Sequence, residues 1–90
     1  MDKLQTLAEK IIEEQEKIIG PIAVEQARQV PGVLVDWIKH EVKIEGDEKH
    51  KIEELVDKYK ELFGKVAVEV CKEALKGLDV PKDQLPAVLQ

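Results

Sequence analysis

The chain has 90 residues, a net charge of −5 and a hydrophobic content of 43%. That length suits one domain, and the hydrophobic content is typical of a folded protein, which argues against disorder along the whole chain. Nucleic-acid binding is not expected, because 19 acidic residues outnumber 14 basic ones and Arg28 is the only arginine.

Cysteine content and apolar runs indicate the compartment. Cys71 is the only cysteine, so neither an intrachain disulfide nor a thiolate metal cluster is expected. The N-terminal stretch MDKLQTLAEK is of mixed charge and lacks the apolar core of a signal peptide, and no apolar run is long enough to span a membrane. We therefore expect a soluble cytoplasmic protein.

The first predicted element is an amphipathic helix with one interruption. Apolar residues recur at helical spacing from Leu4 to Ile19 and again from Ile22 to Val30. Between the two runs stand Gly20 and Pro21, where the missing amide proton and the ring of proline must stop or kink a helix. The sequence predicts a sharp bend there, in a kinked helix or in two helices in near continuation.

The next segment, VLVDWIKHEV, is predicted to form a short helix. One helical face would carry Val33, Leu34, Trp37, Ile38 and Val42. The alternation of apolar and charged residues from Glu41 to Glu45 leaves a partial strand open as the alternative.

A second long helix is predicted from the apolar stripe that runs from Ile52 to Leu78, with Asp47 as its N-cap. Gly64 interrupts this stripe at a cost of about 1 kcal/mol relative to alanine. Because no proline follows it, we expect a weaker bend at Gly64 than at Gly20, or none. The tail after Pro81 is expected to add a turn or two of helix.

Residues 9–30 align without gaps on residues 53–74, which indicates an internal repeat. The alignment matches Gly20 with Gly64 and Val24 with Val68. Two units of about 3–44 and 47–90, each a long helix with a glycine hinge followed by a short helix, would bury their stripes against each other around a pseudo-two-fold axis. The alternative is that any two amphipathic helices rich in Lys, Glu and Val align this well.

These elements predict a single all-α domain, residues 1–90, with four to five helices arranged as two pseudo-repeated helical hairpins. The rhythm of long helix, proline break and short helix in residues 13–42, EEQEKIIGPIAVEQARQVPGVLVDWIKHEV, resembles the saposin-type arrangement. The six cysteines that define that family are absent from this chain, so the resemblance concerns the arrangement of helices and does not imply membership.

No catalytic, cofactor or metal site is predicted. Serine is absent and Thr6 is the only threonine. Cys71 lies on the apolar stripe without a nearby histidine, which favours a small buried hydrophobe over a nucleophile. His40 and His50 are expected on solvent-exposed polar faces, because the chain lacks the Glu-x-x-His pairs of a di-iron bundle.

Paired carboxylates recur at Glu25 and Glu69, away from the apolar stripe. Each is followed three residues later by a basic residue, Arg28 or Lys72, so surface ion pairing is favoured over acid–base catalysis.

Partner-contact candidates are Val24 and Val68, which lie off the stripe at matching positions, together with Trp37 and Ile38. Chance exposure of the two valines and a core role for Trp37 are the alternatives.

The hinge candidates are Gly20, Pro21 and Gly64. We predict a non-enzymatic helical protein-interaction or regulatory module that self-associates as a homodimer. The alternative is a saposin-like bundle that binds lipid or another apolar ligand.

Overall fold

A computed structural model describes residues 3–90, which form four α-helices and one two-stranded sheet. The elements in chain order are α1 (Lys3–Ile19), α2 (Ile22–Arg28), β1 (Val33–Asp36), β2 (Glu41–Ile44), α3 (Glu48–Phe63) and α4 (Lys65–Ala74). Two 3₁₀ turns, Lys82–Gln84 and Ala87–Leu89, follow in the tail, where a turn or two of helix is predicted. The fold is thus mostly helical.

The interruption predicted at Gly20 and Pro21 is confirmed. The N–H of Gly20 closes the last turn of α1 on the carbonyl of Glu16 at 2.9 Å. Gly20 then adopts a φ of +74°, which L-residues rarely occupy, and α2 starts at Ile22 after the proline. Gly20 therefore separates two helices.

A break is present at Gly64 as well, so the expectation that the second helix could continue there without a bend is wrong. Helix α3 ends at Phe63, and Gly64 has φ 68° and ψ −151°, far from helical values and in a region that is essentially restricted to glycine. Helix α4 starts at the next residue, Lys65. Glycine permits this break without any help from proline, because its missing Cβ opens this region of backbone conformation.

The short helix predicted over residues 33–42 is also wrong. Strands β1 and β2 form an antiparallel hairpin in which Val33 pairs with Ile44 and Val35 pairs with Val42. Side chains alternate between buried and exposed along it, as Val33 and Val42 enter the core. The alternative of a partial strand over residues 41–45 agrees better with the structure than the helix does, because β2 spans Glu41–Ile44.

Polar side chains of α1 hold this hairpin in place. The Ile44 N–H donates to Gln5 Oε1 at 2.9 Å, and the Val42 N–H donates to the carboxylate of Glu9. Burial raises the pKa of Glu9, and the hydrogen bond from Val42 opposes that rise. The sequence pattern does not reveal these contacts, because a helix that binds a strand edge uses residues from its polar face.

The core is formed by the apolar faces of all four helices, closed by Val33 and Val42 of the hairpin and by Leu85 and Leu89 of the tail. The predicted N-cap is confirmed, since Asp47 Oδ1 accepts the His50 N–H at 3.3 Å. Across residues 3–90, no helix has the length and apolar character that crossing a membrane requires.

Candidate functional site

Two buried hydrogen bonds connect the segments around the two glycine breaks. The Tyr59 hydroxyl of α3 donates to the carbonyl of Ala23 in α2 at 2.6 Å. The Gln15 amide of α1 donates to the carbonyl of Ala67 in α4 at 2.9 Å. These two buried hydrogen bonds bring residues 15–23 alongside residues 59–67.

Exposed apolar side chains concentrate around these breaks. Five of the seven large hydrophobic side chains that are exposed among residues 3–90 flank Gly20 or Gly64, with exposed fractions between 38% and 65%. We call these five residues the hinge surface: Ile18, Ile22, Leu62, Phe63 and Val66. The other two exposed large hydrophobic residues among residues 3–90, Leu34 and Ile38, lie in the hairpin.

Charged residues border the hinge surface on both of its halves. Lys17 precedes Ile18, and Glu61 precedes Leu62, and both side chains are exposed. Lys17 makes an exposed contact of 3.2 Å with Glu14 on its own helix, which is a weak interaction. The border can therefore pair with a complementary surface at little cost.

The sequence missed the hinge surface because it placed all five residues on the apolar stripes. Each glycine break changes the direction of the helix axis, so residues at the break leave the buried face of both flanking helices. The sequence does contain one signal for this exposure, because each of the five residues lies within two positions of Gly20 or Gly64.

Val24 and Val68 do not lie on a contact surface. Both are buried in the core, with exposed fractions of 7% and 9%. The sequence placed both valines off the apolar stripe because one helical wheel was continued across Gly20 or Gly64, where the helix ends. Counted from each break, they share a face with Ala23 or Ala67, which are also buried.

Trp37 and Ile38 have different environments although they are adjacent. Trp37 is half-buried, its indole Nε1 donates to Glu16 Oε2 at 3.0 Å, and its ring stacks on His40 at 4.2 Å between centroids. Trp37 thus fixes the end of the hairpin to α1. Ile38 is 97% exposed in the turn between the strands and remains a contact candidate.

The predicted hinge residues Gly20, Pro21 and Gly64 lie between the side chains of the hinge surface. A Cβ added at Gly20 or Gly64 would meet no atom within 4 Å, so neither glycine is required by close packing. The positive φ at both positions accounts for the residue type.

Cys71 is a buried free thiol, as predicted. Burial raises its pKa to about 11, although Gln15 Nε2, 3.5 Å from the sulfur, partly opposes that rise. A thiol with a raised pKa is a poor nucleophile near neutral pH. The structure therefore agrees with the reading of Cys71 as a small core residue.

Both histidines are exposed, as predicted. His50 Nε2 lies 2.9 Å from Glu54 Oε1, and His40 Nδ1 lies 3.6 Å from Glu13 Oε1. Within the described part of the chain, no group of three or more His, Cys, Asp or Glu side chains is arranged to hold a metal ion. The surface pair predicted for Glu69 and Lys72 is present at 3.8 Å.

Comparison of the chain with protein-family models, with curated protein sequences and with solved structures gives no match.

Proposed function

We propose that this chain is a non-enzymatic helical interaction module of the cytoplasm that forms a homodimer through the hinge surface. The observation that carries the proposal is the exposure of five large apolar side chains within two residues of Gly20 or Gly64, in segments joined by two buried hydrogen bonds. Exposed apolar surface of this kind is typical of interaction sites, because its removal from water is favourable.

The size of the hinge surface agrees with one half of a dimer interface. Its five side chains expose on the order of 500 Å² of apolar area. A standard interface buries about 800 Å² per partner, of which a little more than half is apolar. The hinge surface therefore supplies the apolar part, and the charged border supplies the polar rim.

We infer that the two halves of the chain are an internal repeat related by a pseudo-two-fold axis. Gly64 lies 44 positions after Gly20. The same offset relates the donors of the two buried hydrogen bonds, Gln15 and Tyr59. It also relates their acceptors, Ala23 and Ala67. Buried positions correspond as well, since Ala27 and Cys71 are both inaccessible.

The same offset relates Lys17 to Glu61, which favours a second copy as the partner. In a two-fold dimer a residue of one copy contacts a different residue of the other, and the reverse contact follows by symmetry. Lys17 can then pair with Glu61 of the second copy at two places. A hinge surface with one charge sign on both halves would repel itself.

Sedimentation velocity over a range of about 1 µM to about 1 mM tests this function. We expect a monomer–dimer equilibrium for the natural chain and a monomer for Val66→Asp, which adds a charge to the hinge surface. Leu34→Asp is the matched control, since it changes an exposed apolar residue of the hairpin and should leave the dimer intact. A natural chain that stays monomeric throughout this range would contradict the proposal.

Lipid binding is the second candidate, and the surroundings of Phe63 favour it. Phe63 is partly exposed, and the exposed Lys60 and Lys65 lie on either side of it in sequence. An aromatic residue among cations suits the surface of an anionic bilayer. Co-sedimentation with anionic phospholipid vesicles tests this candidate, and binding that Val66→Asp abolishes would favour it over the dimer.

A further inference from the structure

The hydrogen-bond pattern of the hairpin identifies which backbone groups lie on its edges. The Glu45 N–H donates to the carbonyl of Gly32 at 2.8 Å, next to the Val33–Ile44 pair. Hydrogen-bonded and non-hydrogen-bonded pairs alternate along an antiparallel ladder. Val33 and Val35 therefore direct their N–H and C=O groups away from β2.

The two edges of the hairpin differ in how these groups are satisfied. On the β2 edge, the N–H groups of Val42 and Ile44 donate to side chains of α1. On the β1 edge, the Val33 N–H donates to the carbonyl of Val30 at 3.1 Å. For the N–H and C=O of Val35, residues 3–90 provide no hydrogen-bond partner.

Such an edge is ready to pair with another strand, and natural proteins usually block it with charge, proline or a covering element. Residues 33–35 of β1 are Val-Leu-Val, without a blocking residue. Leu34 on the solvent face is about half exposed. The edge of β1 therefore combines unpaired backbone groups with an accessible apolar side chain.

Two carboxylates lie at the end of this edge. Asp36 of β1 stands directly opposite Glu41 of β2, and both are exposed. In the described part of the chain neither forms an ion pair, although Asp36 Oδ1 accepts the N–H of Lys39 at 3.4 Å. The exposed Lys39 and Lys43 line the same surface, and no ion pair joins them to these carboxylates among residues 3–90. Like charges directly opposite each other destabilise a strand pair, so a cation placed directly beside Asp36 and Glu41 is favoured by both carboxylates.

We propose that the edge of β1 binds an extended peptide segment of a partner protein, which adds to the hairpin as a third strand. Backbone pairing with Val35 provides the affinity. The segment carries an apolar residue beside Leu34 and a basic residue, two positions away on the same face, beside Asp36. Ile38, exposed just beyond the end of β1, extends the apolar contact.

A second copy of this chain fits the edge poorly. Antiparallel pairing of two β1 strands around Val35 would place Leu34 of each copy opposite Asp36 of the other, an apolar residue against a carboxylate. A peptide with its own sequence avoids this mismatch. The site shares no residue with the hinge surface and does not depend on the proposed dimer.

Nuclear magnetic resonance of the intact chain tests the proposal, with the blocked peptide Thr-Lys-Val-Leu-Val-Thr as the probe. In antiparallel pairing its first Val faces Val35, its Leu lies beside Leu34 and its Lys lies beside Asp36. We expect the Val35 amide to shift and its hydrogen exchange to slow by about tenfold or more at saturation, because the N–H gains a hydrogen-bond partner. A probe with Glu in place of Lys should bind about tenfold more weakly. A probe that is N-methylated at its first Val should not bind.

Asp36→Asn is the informative variant, because it removes the charge and keeps an oxygen for the Lys39 N–H. It should reduce the preference for Lys over Glu, while Glu45→Gln, a change of an exposed acid outside the strands, should preserve it. Unchanged β1 amides at millimolar probe would overturn the proposal, and so would equal binding of the N-methylated peptide. Protection of Val35 that rises with protein concentration alone would also overturn it, because the edge would then pair with itself.

Discussion

The Tyr59 hydroxyl and the Ala23 carbonyl form a buried hydrogen bond of 2.6 Å between the second long helix and the helix that follows the first glycine break. Gln15 and Ala67 form the corresponding bond in the opposite direction, at 2.9 Å. In the proposed repeat, this phenol and this amide occupy corresponding positions. Together the bonds connect the segments around the two breaks, which carry the hinge surface.

Tyr59→Phe should lower the free energy of unfolding by about 1 kcal/mol, the usual net contribution of one hydrogen bond. The ring remains and its packing is preserved, so the loss reports the hydroxyl alone. Urea unfolding followed by circular dichroism measures it. Phe63→Tyr, which adds a hydroxyl at a partly exposed position, is the control and should change stability by less than about 0.5 kcal/mol.

Replacing Gly64 with L-alanine and, separately, with D-alanine distinguishes an effect of backbone conformation from an effect of packing. The dihedral angles at Gly64 are the mirror image of an extended conformation that L-residues favour. Gly64→Ala should therefore cost about 1–3 kcal/mol, whereas D-alanine, introduced by chemical synthesis, should stabilise the fold by about 0.5 kcal/mol. Thermal unfolding of the two synthetic chains measures this, and equal destabilisation by both hands would contradict the backbone argument.

Stability should fall at alkaline pH because of the buried Cys71 thiol. Burial raises its pKa from 9.0 to about 11, so the folded state keeps a proton that the unfolded state releases. The contribution is complete below about pH 9 and is lost as the pH rises to about 11, an effect on the order of 2 kcal/mol.

Urea unfolding at a series of pH values checks this sign, with Cys71→Ala as the comparison. Alanine occupies the matching position 27, so the variant should fold. It should show a shallower alkaline decline than the natural chain. A decline remains, because burial raises the pKa of Tyr59 as well, and identical slopes for the two chains would contradict the role of Cys71.

Charge reversal at the border of the hinge surface tests the orientation of the proposed dimer. Lys17→Glu and Glu61→Lys should each weaken dimerisation several-fold, because each change creates two like-charge contacts across the two-fold axis. The double variant should restore the natural affinity in sedimentation velocity. If the double variant dimerises as weakly as the single ones, these two residues do not face each other.

Much of the helical framework could be predicted from local sequence. Proline after Gly20 ends a helix wherever it stands, and the Asp47 side chain caps the nearest free N–H groups of α3. Cys71 lies among apolar residues at helical spacing and is buried. These features depend on neighbours within a few residues, which the sequence displays directly.

The hairpin and the second break could not be predicted in this way. Residues 33–42 fit a helical wheel, but their strands gain hydrogen-bond partners from Gln5 and Glu9, more than 30 residues earlier. Gly64 has no proline beside it, and it breaks the helix because α4 must turn Ala67 and Val68 into the core. Both outcomes depend on surfaces that exist only after the chain has folded.

The sequence by itself determined a mostly helical chain, its first break and the lack of serine, because composition and local geometry are sufficient for these features. Only the tertiary structure decided that Val24 and Val68 are core residues and that Ile18 and Val66 are exposed. The physical reason is that each glycine break resets the direction of the helix. Which side chains meet water then depends on how the separate helices pack.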